Sequence, residues 1–322
     1  MRRPAVRADW SGRVDAAEGD AALRWHQVVS PRDTTAAPVA LIGFACDAGV
    51  VRNKGRPGAI TGPSALRKAL ANVPVHALQA VDDLGDVTCA ADALEETQAE
   101  FGEVISGVIG ASGVPIGMGG GHEIAYGSYL GLQQALATVG DDGAIGIVNF
   151  DAHFDLRAGE RSSSGTPFRQ ILEHAAGKGR RAEYLCIGVS RFGNTAALFA
   201  RARELGVRWV LDEETRADHY AALAGELTGL LGRVRHLYLT VCLDCFPAAV
   251  APGVSAPAAL GIEPALVERL IDIAVASGKL RVADIAELNP KFDIDSRTAR
   301  LAARLIARMS EGLVQPRIRP PQ

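Results

Sequence analysis

The chain has 322 residues, of which 48% are apolar, 22% charged and 5% aromatic, enough to bury a sizeable core within one large domain. A formal net charge of −3 gives no electrostatic basis for nucleic acid or an anionic membrane as partner. No apolar run reaches the roughly 18 residues of a membrane-spanning helix. Arg2, Arg3 and Arg7 are followed by no hydrophobic segment, so a secretory signal is not expected. The five cysteines (Cys46, Cys89, Cys186, Cys242, Cys245) are odd in number and mostly sit in apolar runs. That usage fits reduced thiols and a cytoplasmic location better than a disulfide framework.

In chain order, residues 1–38 lack a sustained period and read as a leader packed on the surface. Residues 39–46 (VALIGFAC) read as the first core strand, which empties into a Gly-rich loop, 47–59, carrying Arg52, Lys54 and Arg56. Gly62-Pro63-Ser64 starts a helix through about residue 70. Residues 75–81 read as a second strand and 82–86 (Asp-Asp-Leu-Gly-Asp) as a turn. A helix is expected over 91–109, a strand over 114–118 and a helix over 122–136. Further strands are expected at 144–150, 184–189, 207–211, 236–243 and 279–286, with helices between them, most clearly at 263–276 and 296–309. The alternation predicts an α/β fold, a mostly parallel sheet of about eight strands with helices on both faces. One domain, 39–315, is expected, with 316–322 as a surface tail.

The chemistry concentrates between Gly117 and Asp155. Gly117-Met118-Gly119-Gly120-Gly121-His122-Glu123 joins a strand to a helix, yet no Lys-Ser/Thr follows and the spacing is not a dinucleotide fingerprint. The glycines instead give clearance for a metal-ligating His122, or simply start a helix with a core histidine. One strand later comes Asp151-Ala152-His153-Phe154-Asp155. In an extended backbone Asp151, His153 and Asp155 would share one side, at the carboxyl end of a strand where open α/β sheets place ligands. Such a trio is costly to desolvate without a partner, and a divalent cation supplies one. On the strand over 236–243, Cys242 and Asp244 share the non-aliphatic parity. Ala286-Glu287-Leu288-Asn289-Pro290 adds a further carboxylate just past an apolar run.

Taken together, Gly-Gly-x-His, Asp-Ala-His-x-Asp, the Asp244 strand with Ala251-Pro252-Gly253 after it, and Glu-x-Asn-Pro resemble the arginase/agmatinase (ureohydrolase) superfamily. The finer wording is similar to its formimidoylglutamase branch: Gly120-Gly121-His122-Glu123, Ser164 through Gln170, Ser190-Arg191-Phe192-Gly193-Asn194-Thr195 and Pro247 through Gly253. The resemblance spans residues 39–308. It implies an arginase-like three-layer α/β/α fold and a pair of Mn2+ ions. His122, Asp151 and Asp155 would hold one ion, and Asp151, His153 and Asp244 the other. The implied reaction is hydrolysis of N-formimino-L-glutamate to L-glutamate and formamide, as in histidine degradation. A metal-bridging hydroxide would attack the formimino carbon, with Asp155 shuttling the proton and Glu287 meeting the amidinium. Arg157, Arg169, Arg191 and Asn194, with Asn53 and Arg56 behind them, are the candidates for the glutamate end. A homo-oligomer is implied by resemblance alone.

Two departures from the family pattern stand out. Ser164 occupies the place of an arginase histidine and, not titrating near neutral pH, offers no proton relay there. Cys242 stands where the superfamily has a bridging Asp. It is either a thiolate ligand favouring zinc, iron or cobalt over manganese, or a buried thiol beside a weakened site. Two other readings remain open at this stage: another amidine or guanidine hydrolase (agmatinase or guanidino-acid hydrolase), and a non-catalytic relative that only binds a ligand.

Overall fold

The computed structural model describes residues 1–77 and 80–314. Ten strands form one sheet: β1 (Arg2–Arg3), β2 (Val29–Pro31), β3 (Val39–Ala45), β4 (Val81–Thr88), β5 (Val114–Met118), β6 (Ile145–Phe150), β7 (Ala182–Val189), β8 (Arg208–Leu211), β9 (His236–Cys242) and β10 (Leu280–Ala286). Their order is β1-β4-β3-β5-β10-β9-β6-β7-β8, with β2 beside β1 on the outer edge of β4. Only the β1–β4 pair is antiparallel.

Successive side chains of a strand point to opposite faces, and β6 shows the consequence. Val148 and Phe150 join one apolar cluster, Ile145 and Ile147 the other. The first cluster takes in helices Gly62–Ala71, Tyr220–Arg233, Pro264–Ala276 and Arg297–Val314. The second takes in Leu94–Gly110, Ile124–Thr138, Pro167–Gly177 and Ala196–Glu204. Strands buried on both faces read as near-continuous apolar runs, which is why β3, β6 and β9 stand out in the sequence. The result is the expected three-layer α/β/α sandwich. No helix among the described residues is long and apolar enough to cross a membrane.

Three expectations need correction. The strand expected over 75–81 begins only at Val81, where β4 starts; residues 75–77 and 80 belong to no strand, and 78–79 lie outside the described residues. The acidic run 82–86 is not a turn; it lies inside β4. Its carboxylates are buried because partners await them. Arg67, itself buried, donates to Asp83 (2.8 Å) and Asp86 (2.6 Å), Trp10 Nε1 donates to Asp83 (2.8 Å), and the Ala37 N–H donates to Asp82 (2.7 Å). Local turn composition loses to this paired network, since a buried ion pair is tolerated when its remaining hydrogen bonds are met. The leader is also more than a surface wrap. It supplies β1 and β2, and Trp10 and Trp25 are buried in the core. The expected tail 316–322 lies outside the described residues.

Candidate metal centre

Four contiguous central strands, β5, β10, β9 and β6, end at one place and deliver the polar cluster. After β5, backbone N–H groups of Gly120 and Gly121 bond back to Phe44 and Cys46 carbonyls. A Cβ on Gly120 would sit 1.7 Å from Cys46 O, so only glycine permits this close approach. The turn sets His122 in the interior, 1% exposed.

His122 Nδ1 lies 2.9 Å from Asp151 Oδ2 and 2.9 Å from Asp155 Oδ2, yet it has no hydrogen-bond partner. The other ring nitrogen, Nε2, is 3.1 Å from Thr240 Oγ1. Asp151 is held by the Asn149 amide (3.0 Å) and the His153 N–H (2.7 Å). His153 Nδ1 is 3.1 Å from Asp244 Oδ2 and 3.6 Å from Asp151 Oδ1, while Asp244 Oδ1 is buried without a partner.

Ligand atoms of His122, Asp151 and Cys242 lie within 4.8 Å of one another, as do those of Asp151, His153 and Asp244; Asp151 belongs to both groups. Nitrogen and carboxylate donors crowded together with unmet lone pairs fit a pair of divalent cations. The thiol is the one soft member of the set.

The route by which these residues meet differs from the strand alternation. β6 ends at Phe150, residues 151–155 are irregular, and Asp155 has φ 48°. In a strand, i and i+2 stand about 6.6 Å apart, too far for neighbouring ligands of one ion; the turn closes that gap. Asn194 holds it in shape. Its amide donates to Ala152 O and Ser190 O (2.9 Å each), and its oxygen accepts from the Phe154 N–H (3.1 Å). Glu287 also sits at positive φ, 71°. Its Oε1 accepts from the His122 N–H (2.9 Å), and Oε2 is buried and unpartnered. Strained backbone of this kind persists where the surroundings over-determine it and is common at functional sites.

The electrostatics are those of a cluster short of positive charge. Burial and the Asp151 charge push Asp155 up to about 6. Burial and the same charge raise Asp244, and burial, Glu123 and Asp244 raise Glu287 well above the usual carboxylate range. Burial disfavours charge on His122, but Asp151 and Asp155 outweigh it and hold the imidazole well above its ordinary value. Burial and four nearby carboxylates keep Cys242 a thiol when no cation is at hand.

A cavity of ≈ 270 Å³ opens above these groups, and His122, His153, Asp155, Cys242, Asp244 and Glu287 line its floor. Asn53, Arg56, Arg157 and Asn194 reach its wall, as does Lys54, which the sequence reading did not single out. Arg169 and Arg191 do not reach it. Arg169 donates to Arg157 O and Gly159 O (2.8 and 2.9 Å) and pairs with Glu173; Arg191 pairs with the exposed Glu213. Arg56 is spent on the carbonyls of Ser255 and Val254 and stacks over Phe292. Glu123, quoted only as part of a motif, accepts the Gly49 N–H (2.8 Å) and ties the 47–59 loop to the floor.

Cys242→Asp is expected to keep or raise Mn2+ occupancy, because a carboxylate is the harder donor. Metal analysis of both proteins after removal of free metal checks this. Two tightly held ions in each, with unchanged activity, would mean the thiol is not limiting.

The arginase family model matches residues 37–310. Formimidoylglutamase of Ralstonia nicotianae is 53% identical over 308 residues, covering 94% of this chain and 95% of that protein. That of Chromobacterium violaceum is 50% identical over 305 residues, covering 94% and 97%. Among solved structures, Trypanosoma cruzi formiminoglutamase with Mn2+ superposes with a TM-score of 0.80 at 25% identity, covering 93% of this chain and all of that one. Bacillus subtilis formimidoylglutamase shares the fold with a TM-score of 0.82 at 20% identity, covering 94% of each chain. The chain belongs to the arginase family, and the two curated relatives named above are formimidoylglutamases.

Proposed function

We propose that the protein hydrolyses N-formimino-L-glutamate to L-glutamate and formamide at the carboxyl edge of β5, β10, β9 and β6. The observation that carries this reading is the buried His122 Nδ1, flanked by two carboxylates and bonded to neither, in a chain half identical to formimidoylglutamases. His122, Asp151 and Asp155 would hold one divalent cation, with Cys242 beside them. Asp151, His153 and Asp244 would hold the second. Bound there, such a pair supplies a water acidic enough to give hydroxide near neutral pH. Manganese is the metal we favour for at least one position, with a softer ion at the Cys242 side as the alternative.

The rest is the work of the chain. Glu287 Oε2, buried and without a partner, receives the amidinium in a charge-assisted contact and aims the formimino carbon at the floor. Asp155, in the cavity floor beside His122, would take up the proton released by the attacking water and hand it to the glutamate nitrogen as the C–N bond breaks. At the outer end, the substrate's two carboxylates need cations or oriented donors. Lys54 and Arg157 line the cavity and their side chains make no ion pair among the described residues. Between them, the Asn53 amide donates to Ser164 Oγ (3.1 Å). Gly165 leaves room here, since a Cβ would sit 2.8 Å from Arg157 Cδ and 2.9 Å from Asn53 Nδ2. An agmatine tail carries a cation, which these groups repel.

Glutamate release from formiminoglutamate, set against urea release from agmatine, arginine and guanidinobutyrate, tests the assignment; preference for any of the latter overturns it. Arg157→Ala is expected to raise KM for formiminoglutamate by about tenfold or more, a charged hydrogen bond being worth about 1.5–3 kcal/mol, with kcat little changed. Arg191→Ala should leave both constants near their starting values. Equal losses in the two variants would remove Arg157 from the substrate-binding set.

A further inference from the structure

The Glu-x-Asn-Pro motif contains a residue that the proposed reaction leaves unused. Asn289 stands two residues past Glu287, is fully buried and lies outside the cavity lining. Its amide donates to two successive carbonyls of the Gly-rich loop, Arg56 O (3.0 Å) and Pro57 O (3.2 Å). Its oxygen accepts from the Lys291 N–H (3.2 Å), and its own N–H donates to Gly253 O (2.7 Å). The loop comes so close that a Cβ on Gly58, where φ is 138°, would sit 2.3 Å from Asn289 Oδ1; glycine is the residue that fits. On the loop side, the Arg56 N–H donates to Ser255 Oγ (2.8 Å) and its guanidinium to Ser255 O (2.9 Å). Three parts of the cavity wall are thereby joined: the 53–56 stretch, residues 255–256 and the turn that carries Glu287.

This grip lies between the two ends of the proposed substrate. Asn289 is two residues from Glu287, which would meet the amidinium, and Arg56 is two residues from Lys54, a cation for the side-chain carboxylate. Lys54 has left-handed backbone (φ 63°), a conformation that persists where the surroundings over-determine it. The Gly49 N–H on Glu123 (2.8 Å) and the Gly58 N–H on Asp47 (2.7 Å) hold the two ends of the loop, and Asn289 ties it to the Glu287 turn. We propose that Asn289 is a positioning residue that sets the distance between Glu287 and the Asn53–Lys54 stretch. It thereby sets the length of carbon chain the site accepts between amidine and side-chain carboxylate. The proposal deepens the formiminoglutamate reading and rests on it. A substrate charged at both ends is measured by a site whose ends are fixed, because a missing methylene leaves the groups at one end unpaired. A loop freed from the Glu287 turn can follow a shorter chain inward.

The test compares kcat/KM of the Mn2+-loaded protein for N-formimino-L-glutamate and for its homologue one methylene shorter, N-formimino-L-aspartate. The parent is expected to prefer the glutamate compound by about tenfold or more, the discrimination a methylene supplies. Asn289→Asp keeps the shape but replaces both donors with oxygens that cannot bridge to carbonyls. It should raise KM for formiminoglutamate about tenfold, two hydrogen bonds' worth, with kcat and Mn2+ content little changed, and shrink the preference toward unity. Added to Lys54→Ala it should raise KM by less than about twofold, since the cation it places is already gone. Fully multiplicative losses in the double variant, an unchanged preference in Asn289→Asp, or loss of Mn2+ from it would each overturn the proposal. If Asn289→Asp does not fold, Gly58→Ala presses on the same contact from the loop side and should lower the preference likewise. A parent that treats the two homologues alike overturns the proposal without any variant. A parent that releases no glutamate from formiminoglutamate sinks the substrate reading, whereas release with a preference the variants do not alter sinks only the role of Asn289.

Discussion

Asp151→Asn is expected to lower turnover by at least about a thousandfold and to leave no more than one tightly held ion per chain. Asp151 is the residue common to both ligand groups, with one oxygen 2.9 Å from His122 Nδ1 and the other 3.6 Å from His153 Nδ1. An amide keeps one oxygen and replaces the other with an NH2 that cannot ligate a cation. It also removes the charge that offsets two cations. Metal-ion chemistry is worth several kcal/mol of barrier, and each 1.36 kcal/mol is a factor of ten, which sets the thousandfold floor. In the metal-free protein the variant should also be less stable. Asp151 is wholly buried, and its charge, opposed by that burial, is favoured there by His122 and His153, which are left without that partner. Metal content after gel filtration, glutamate release and a thermal melt together check the expectation. Two retained ions with turnover within tenfold of the parent would show that no ligand is shared.

The parts of this molecule that were legible in the sequence are those where one physical demand dominates. Strands buried on both faces, such as β3, β6 and β9, must be apolar, so they announce themselves. A metal centre needs ligand-type residues at the ends of such strands, so His122, Asp151 to Asp155 and Asp244 could be picked out, and the structure brings them together. What was not legible depends on partners distant in the chain. Asp82, Asp83 and Asp86 read as a turn because nothing local reveals that Arg67, Trp10 and Ala37 will meet them. The same holds for the surface arginines. Arg157, Arg169 and Arg191 look alike in sequence, and only Arg157 escapes capture by a neighbouring carboxylate or carbonyl on its way to the cavity. Lys54 was overlooked inside a loop already marked as interesting, since its left-handed backbone (φ 63°) is not a property its residue type advertises.

The metal-free protein should lose stability as pH rises from about 4 to about 7, and divalent metal should cancel that loss. Burial and the Asp151 charge push Asp155 up to about 6. Burial, aided by Asp47, pushes Glu123 up to about 7. Between the ordinary carboxylate range and these values both groups keep a proton in the fold that the unfolded chain has already released. The folded state then binds more protons, so stability falls with rising pH, by about 3 kcal/mol for each group. His122 and His153, held well above the ordinary histidine value because neighbouring aspartates outweigh their burial, act with the same sign, since their charge stabilises the fold until it titrates away at higher pH. Asp151 has the opposite sign, held low by His122 and His153 against its burial, but its contribution is lost only in acid, outside this window. Cations that displace those protons stabilise the fold in proportion to the logarithm of their concentration over Kd, and they bind more tightly as the ligands deprotonate. The gap in melting temperature between Mn2+-loaded and chelator-treated protein should therefore widen steadily from about pH 5.5 to about pH 8. A gap that stays flat or narrows over that range would mean that the cluster neither holds the protons assigned to it nor exchanges them for metal.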